Sequence, residues 1–278
     1  MSYRNILVQV DSGPHAAARI RFALHLAQAH EAHLTGLFVA PSPYINVMEP
    51  GGGAGSVYYA IHEDIERAAI QARELFERLT QQHPNQSSWH QQIGVPAEAI
   101  CLHARYQDLV VMGQHDPASP ADGLPATLLQ DVAMACGRPV LAVPHAGSFP
   151  TLDQHAMVAW NGSREATRAL TDALPLLRRA KKVTVLIVNA SMDPGVHGQL
   201  PGADVGLYLA RHGVEVEVVK DTAFSRDIGE VLLTVAADRQ VDLLVMGLYG
   251  HSRLREMVMG GASRTMLEAM TVPVLMSH

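Results

Sequence analysis

The chain is written twice, and that limits its possible folds more than any other feature. The block NILVQVDSGPHAAARIRFALHLAQAHEAHLTGLFV returns from Ala156 as AMVAWNGSREATRALTDALPLLRRAKKVTVLIV. Asp11 aligns with Asn161, 150 positions on, and Ala16, Ala23 and Leu26 meet Ala166, Ala173 and Leu176. Later, DLVVMG at 108–113 returns as DLLVMG at 242–247, and RPVLAVPH as VPVLMSH, both at an offset of 134. Two matched blocks in the same order describe one fold repeated, with net extra residues in the middle of the first copy. The turn-rich HAGSFPTLD lies between the copies, so the expected domains are 1–148 and 149–278. A length of 278 residues suits two domains of ordinary size.

Within each copy, apolar runs alternate with amphipathic stretches. In the first, strands are expected at Asn5–Val10, Leu34–Val39, Trp89–Gly94, Asp108–Met112 and Val140–Val143, with helices near 14–30, 62–82, 97–105 and 124–136. In the second, strands are expected near 156–160, 183–188, 214–219, 242–246 and 272–276, and helices near 163–179, 202–212, 226–239 and 261–270. ILVQV, LVVM, VTVLIV and LLVM are nearly continuous apolar runs, the pattern of strands covered on both faces. The alternation predicts an α/β fold, a doubly wound parallel sheet in each copy with right-handed crossovers. Such sheets bind ligands at the carboxyl ends of their strands, where the strand order reverses. The residues that follow strands one and four of each copy are therefore the ones to examine.

Composition narrows the class. Apolar residues are 48% and charged residues 17%, which excludes a disordered chain. No apolar run reaches the roughly 18 residues of a membrane span, and MSYRNILVQVD enters a strand with no signal-like stretch. Cys101 and Cys136 form no CxxC pair and read as small core residues. A cytoplasmic location is expected. The net charge of −6 argues against nucleic acid as a partner. Residues 1–148 carry −5 of that charge and residues 149–278 only −1.

After its fourth strand the second copy reads GLYGHSRLREMVMGGAS, spacing Gly247, Gly250, Gly260, Gly261 and Ser263 as G-x2-G-x9-G-G-x-S ahead of a helix. Glycine lets backbone N–H groups approach an anion closely and tolerates positive φ. A helix N-terminus offers unpaired donors and a partial positive charge. Together they form a phosphate cradle; the blander reading is a strand end and a flexible helix start. Arg253, Arg255 and Arg264 stand close in sequence. No G-x4-G-K-[ST] loop exists, and no G-x-G-x-x-G follows a strand.

With WNGSREA, DLLVMGLYG, MGGASRTML and the closing TVPVLMSH, the chain resembles the universal stress protein family in its tandem form. The resemblance spans essentially the whole chain, strongly in the second copy and more loosely in the first. It implies two five-stranded Rossmann-like domains of the adenine-nucleotide alpha-hydrolase type, with strand order 3-2-1-4-5, and binding of ATP or a related nucleotide such as AMP or ADP. By motif position, Ala159, Trp160 and Asn161 would line the adenosine site and Val188 would lie near the base. Met246, Gly247, Tyr249, Gly250, Gly260, Gly261, Ala262 and Ser263 would hold ribose and phosphates. Asn161 stands where the family pattern has Asp, so it brings no charge to a Mg²⁺ ion. Gly261 stands at the Ser/Thr position and lacks its hydroxyl.

At the same offset the first copy reads Gly113, Asp116, Ala126, Thr127 and Leu129 opposite Gly247, Gly250, Gly260, Gly261 and Ser263. Its loop holds three prolines, each of which removes a donor, and Asp116 and Asp122 repel phosphate. This copy should not bind ATP in the usual way, and its role is structural, regulatory or directed to a different ligand. Of the 15 histidines, His25, His30 and His33, or His115 and Asp116 near His103, are the nearest to a metal cluster; scattered surface positions are the default, and no metal site is assigned. GGGAG at 51–55 reads as a flap rather than a phosphate loop, and NASMDPGVHGQLPG as its counterpart. VLAV and VLMS read as edge strands, which attract partners; the resemblance implies that such last strands pair across domains or subunits, so the two copies would pair within the chain and two chains could also associate. The expected function is a nucleotide-binding stress-response protein. The alternatives are a scaffold acting through protein contacts and a slow ATPase, for which Arg253 or Arg255 would have to serve.

Overall fold

A computed structural model of the chain describes residues 2–42, 54–83, 86–119, 124–189, 202–223, 227–249 and 261–278, with side chains from His62 onward in the helix that begins at Ala54. The first copy runs β1 (Asn5–Val10), α1 (Ala16–His30), β2 (His33–Pro41), α2 (Ala54–Thr80), β3 (Ser87–Gly94), α3 (Pro96–Ala104), β4 (Leu109–Gly113), α4 (Leu128–Ala135) and β5 (Val140–Val143). The second runs β6 (His155–Ala159), α5 (Arg164–Leu177), β7 (Lys182–Val188), α6 (Ala203–Arg211), β8 (Val216–Asp221), α7 (Ile228–Asp238), β9 (Leu243–Gly247), α8 (Ala262–Ala269) and β10 (Val274–Ser277). The repeat survives at residue level. β4, the residue before α4, and β5 map onto β9, the residue before α8, and β10 at the offset of 134.

The strands lie in the order β3-β2-β1-β4-β5-β10-β9-β6-β7-β8. Each copy thus keeps the order 3-2-1-4-5, but the two sheets are fused into one of ten strands. Pairing is parallel except at the seam, where Val274, Leu275 and Met276 run antiparallel to Ala142, Leu141 and Val140. The edge strands read as VLAV and VLMS therefore satisfy one another inside the chain. Among the described residues the sheet ends in β3 on one side and β8 on the other.

The continuous apolar strands are covered on both faces, as such strands require. One core packs α1, α2, α5 and α6 against residues such as Ile6, Val8, Val158 and Val185. The other packs α3, α4, α7 and α8 against Leu7, Val110, Met157 and Leu244. Alternate strand residues point to opposite cores, and both cores run across the seam. Cys136 belongs to the second core and the half-buried Cys101 packs against it.

Two expectations shift. Helix α2 begins at Ala54 rather than near 62, so the GGGAG run adjoins a helix start directly, contrary to the reading that set it apart from one. Its residues up to 53, and NASMDPGVHGQLPG from 190 to 201, lie outside the described residues. Strand β8 begins at Val216, two residues later than expected, because Val214 closes the turn after α6 by donating to Leu209 O at 3.0 Å. Among the described residues no helix is long and apolar enough to cross a membrane.

Candidate functional site

In the second copy the order reverses between β6 and β9, and the parallel register brings the carboxyl ends of β6, β7 and β9 together. Ala159, Trp160 and Asn161 leave β6 there, Val188 ends β7, and Met246, Gly247 and Tyr249 leave β9. Asn161 is exposed. Its Oδ1 accepts from Ser163 N at 3.1 Å, and Ser163 in turn caps α5 by accepting from Ala166 N. Trp160 N donates to Leu186 O at 2.9 Å. Ala159, Val188, Met246, Tyr249 and Ala262 pack on the second core.

Helix α8 starts on this edge. Gly261 is its N-cap and makes no side-chain cap, so the first-turn N–H groups have no acceptor from a capping side chain. The buried Ser263 Oγ accepts from Tyr249 N at 3.0 Å, which ties the end of β9 to the helix start. Tyr249 takes a positive φ of 54° to make that turn. A Cβ on Gly247 would come within 2.5 Å of Ala166 N and 2.6 Å of Glu165 C. Close approach of α5 is thus sufficient reason for glycine there. Arg264 pairs with Glu268 at 2.9 Å on the helix surface. Gly250, Gly260, Arg253 and Arg255 lie outside the described residues.

The first copy has built something else at the same corner. Asp11 Oδ1 accepts from Gly13 N at 3.0 Å, the same turn that Asn161 makes. Its other oxygen is taken by Gln9 Nε2 at 3.1 Å and by Arg19 at 2.5 Å. Arg19 is buried, also donates to Gln9 O at 2.7 Å, and lays its guanidinium over Gly113, where a Cβ would clash with it. Burial opposes the charge on Asp11, but Arg19, Gln9 and the Gly13 amide outweigh it and hold its carboxyl below the usual aspartate range. Beside this pair lies a cavity of about 320 Å³, lined by the ends of β1, β4 and β5 and by α1 and the start of α4.

Around the cavity, His15 Nε2 meets Asp116 Oδ2 at 2.9 Å, and the His15 and His145 rings lie 5.9 Å apart. The His15 hydrogen bond, with the Ala118 amide, lowers the Asp116 pKa. Gln114 accepts at Oε1 from His145 Nδ1 at 3.1 Å, while its Nε2 donates to Leu267 O and Glu268 O in the last turn of α8. One side chain thus joins the first-copy cavity to helix α8 of the second copy.

Sequence reasoning weighed His115 and Asp116 near His103 only as a loose metal candidate and assigned no site; the structure does not bring them together around Asp116. Asp116 pairs with His15, 101 positions away in sequence. His103 lies against His90 and Gln92. His30 and His33 diverge: His30 is buried against Ser2, and His33 bonds Ser88. Arg19, His15, Gln114 and His145 were missed. One signal was available, since Arg19 stands opposite Ala169 at the repeat offset of 150, a charge facing an alanine on an otherwise core-facing helix stripe. Among the described residues no group of three or more His, Cys, Asp or Glu side chains could hold a metal ion.

The universal stress protein family matches residues 2–144 and again 154–278. A universal stress protein of Synechocystis sp. is 23% identical over 291 residues, covering 98% of this chain and 99% of the relative. The crystal structure of a universal stress protein from Archaeoglobus fulgidus DSM 4304 has a TM-score of 0.67 at 15% identity, covering 98% of this chain and 95% of its own. One from Pseudomonas aeruginosa UCBPP-PA14, described as a putative universal stress protein, has a TM-score of 0.57 at 13% identity, with 99% and 93% covered. The family model matches twice in succession over almost the whole chain, so the chain belongs to the universal stress protein family, with two such domains in tandem.

Proposed function

We propose that the second domain, residues 149–278, binds ATP or a related adenine nucleotide such as AMP or ADP, and that the first, residues 1–148, does not. Binding would shift the protein between states that differ in partner affinity, which a ligand does only through unequal affinity for them. The observation that carries the reading is the start of α8, uncapped at Gly261 and held to the end of β9 by Ser263 and Tyr249. Donors without a capping side chain, at the carboxyl edge of a parallel sheet where its order reverses, suit a phosphate. Gly260, Gly261, Ala262 and Ser263 would hold phosphates, Met246, Gly247, Tyr249 and Gly250 the ribose side, and Ala159, Trp160, Asn161 and Val188 the nucleoside.

A Mg²⁺ ion would find an amide at position 161, already accepting from Ser163, so affinity should depend little on the cation. Family membership and a fold built around its strand ends favour a binding protein that acts in the stress response of a cytoplasmic cell compartment. A second copy of the chain, if it joins by sheet edges, would use β3 or β8. Mass spectrometry of the denatured protein should release adenine nucleotide, and calorimetry should detect ATP binding. Gly250→Asp, which copies Asp116 of the first domain, should abolish it. No binding at millimolar ATP would sink the reading, unchanged affinity in Gly250→Asp would misplace the site, and sustained phosphate release would favour a slow ATPase.

A further inference from the structure

The first-domain cavity is separate from the proposed nucleotide site and carries chemistry that the second copy lacks. Its volume of about 320 Å³ falls at the small end of the range for small-molecule sites. One wall is a stripe along α1, where Ala18, Arg21, Phe22 and His25 follow one another at helical spacing. At the repeat offset of 150, Arg21 and His25 stand opposite Thr171 and Pro175, so the second copy has neither basic group there. Leu128 and Leu129 of α4 and Phe149 of the connecting segment add apolar walls. The Phe149 ring lies so close to Gly147 that a Cβ there would come within 2.8 Å of it.

Charge decides the class of occupant. Among the described residues the carboxylates on the cavity are Asp11, consumed by Arg19, and Asp116, paired with His15. Arg21 is exposed and stands in no ion pair among the described residues. With every histidine neutral, Arg21 offsets Asp116 and the sum is zero. Protonation of His15 answers Asp116 instead and leaves Arg21 over. His25, His115 and His145 also line the cavity, and each adds a positive charge when protonated. His25 further borders a smaller cavity with the buried His30 and with Asp153 and Arg179, whose charges oppose each other. At about pH 6, on the acid side of imidazole's ordinary value, the cavity is therefore cationic while a carboxylic acid is still ionised. A fork-shaped cation beside apolar walls matches one carboxylate on an apolar body. A nucleotide would bring several negative charges up against Asp116.

We infer that the first-domain cavity binds a small apolar monocarboxylate, with the carboxylate at Arg21 and His25 and the body against Phe22, Leu128, Leu129 and Phe149.

The test uses the full chain and ¹⁹F NMR at about pH 6, with 4-fluorobenzoate as the probe. Its resonance should shift saturably as protein is added. 4-Fluorobenzamide, of the same shape without the charge, should bind about tenfold more weakly, the cost of losing a charge-assisted hydrogen bond. Arg21→Gln should weaken the acid by about tenfold for the same reason and leave the amide unchanged. His25→Gln should weaken the acid at pH 6, and the wild-type protein should hold it less tightly at pH 8. Ala18→Trp, at an exposed position on the α1 stripe, should block the probe. ATP should not displace it, so failure here and failure of the nucleotide reading are told apart. The inference is overturned if the probe resonance does not move at millimolar concentration, if the amide binds as well as the acid, or if binding is no weaker at pH 8. It is also overturned if ATP displaces the probe, or if correctly folded Arg21→Gln or Ala18→Trp binds it as wild type does.

Discussion

Asp11 and Asn161 occupy the same corner of the same fold and make the same turn, each accepting from the amide two residues on. They differ in what the second side-chain atom meets. Asp11 is buried under Arg19, a residue whose repeat counterpart is Ala169. Asn161 is exposed. The first domain therefore holds its acid in a buried ion pair, and the second carries an uncharged, exposed amide at the same place. The same corner thus holds a buried, paired acid in one domain and an exposed amide in the other.

The sharpest way to break this contrast is Arg19→Leu. It strands the Asp11 carboxylate, 9% exposed, without its cation, and should cost about 3–5 kcal/mol in the denaturant midpoint. Adding Asp11→Asn should recover most of that loss, because the second domain is stable with the amide. A full loss in the double variant would mean that Arg19 acts through packing alone.

A second difference lies in pH. Burial, with help from Arg179, lowers the His30 pKa to about 4, against an ordinary 6.5. The unfolded chain therefore binds the proton first, and stability falls as pH drops from about 6.5 to 4, by about 3 kcal/mol from this group. The Asp11 pair acts in a lower window. Its folded pKa is depressed, so its contribution is complete above the unfolded aspartate value of about 3.9 and is lost only below it. Denaturant midpoints across the acid range should show a fall between pH 6.5 and 4 that His30→Phe flattens; an unchanged slope in that variant would assign the fall to other groups.

Gly247→Ala should cost about 2 kcal/mol by overpacking, since α5 backbone lies where the new Cβ would go. Thermal melting should show the loss whether or not nucleotide is present, which separates packing from binding. The smallest effect is expected for Ser263→Ala, which removes the acceptor of Tyr249 N and should cost about 1 kcal/mol. Calorimetry with ATP on the same variant then asks whether that tie orders the cradle.

The repeat made most of the fold legible. Strand and helix positions followed from periodicity, and the paired offsets placed each loop of one domain on its counterpart in the other. The helix start at Gly261–Ser263 was readable because such a start is set by neighbouring residues. The first-domain cavity was not, because His15, Asp116, Gln114 and His145 come from loops after three different strands. The start of α2 was misplaced by the glycine run, which reads as a breaker although the helix already includes Ala54 and Gly55.

The sequence by itself determined one fold written twice, the direction of its strands, and the halves' unequal loops, because period, spacing and turn chemistry act over a few residues at a time. Only the tertiary structure decided that the two sheets fuse antiparallel through β5 and β10, that Arg19 consumes Asp11, and that Gln114 reaches α8. Each depends on the distance between groups far apart in sequence, which the packing of the two cores sets and no local pattern encodes.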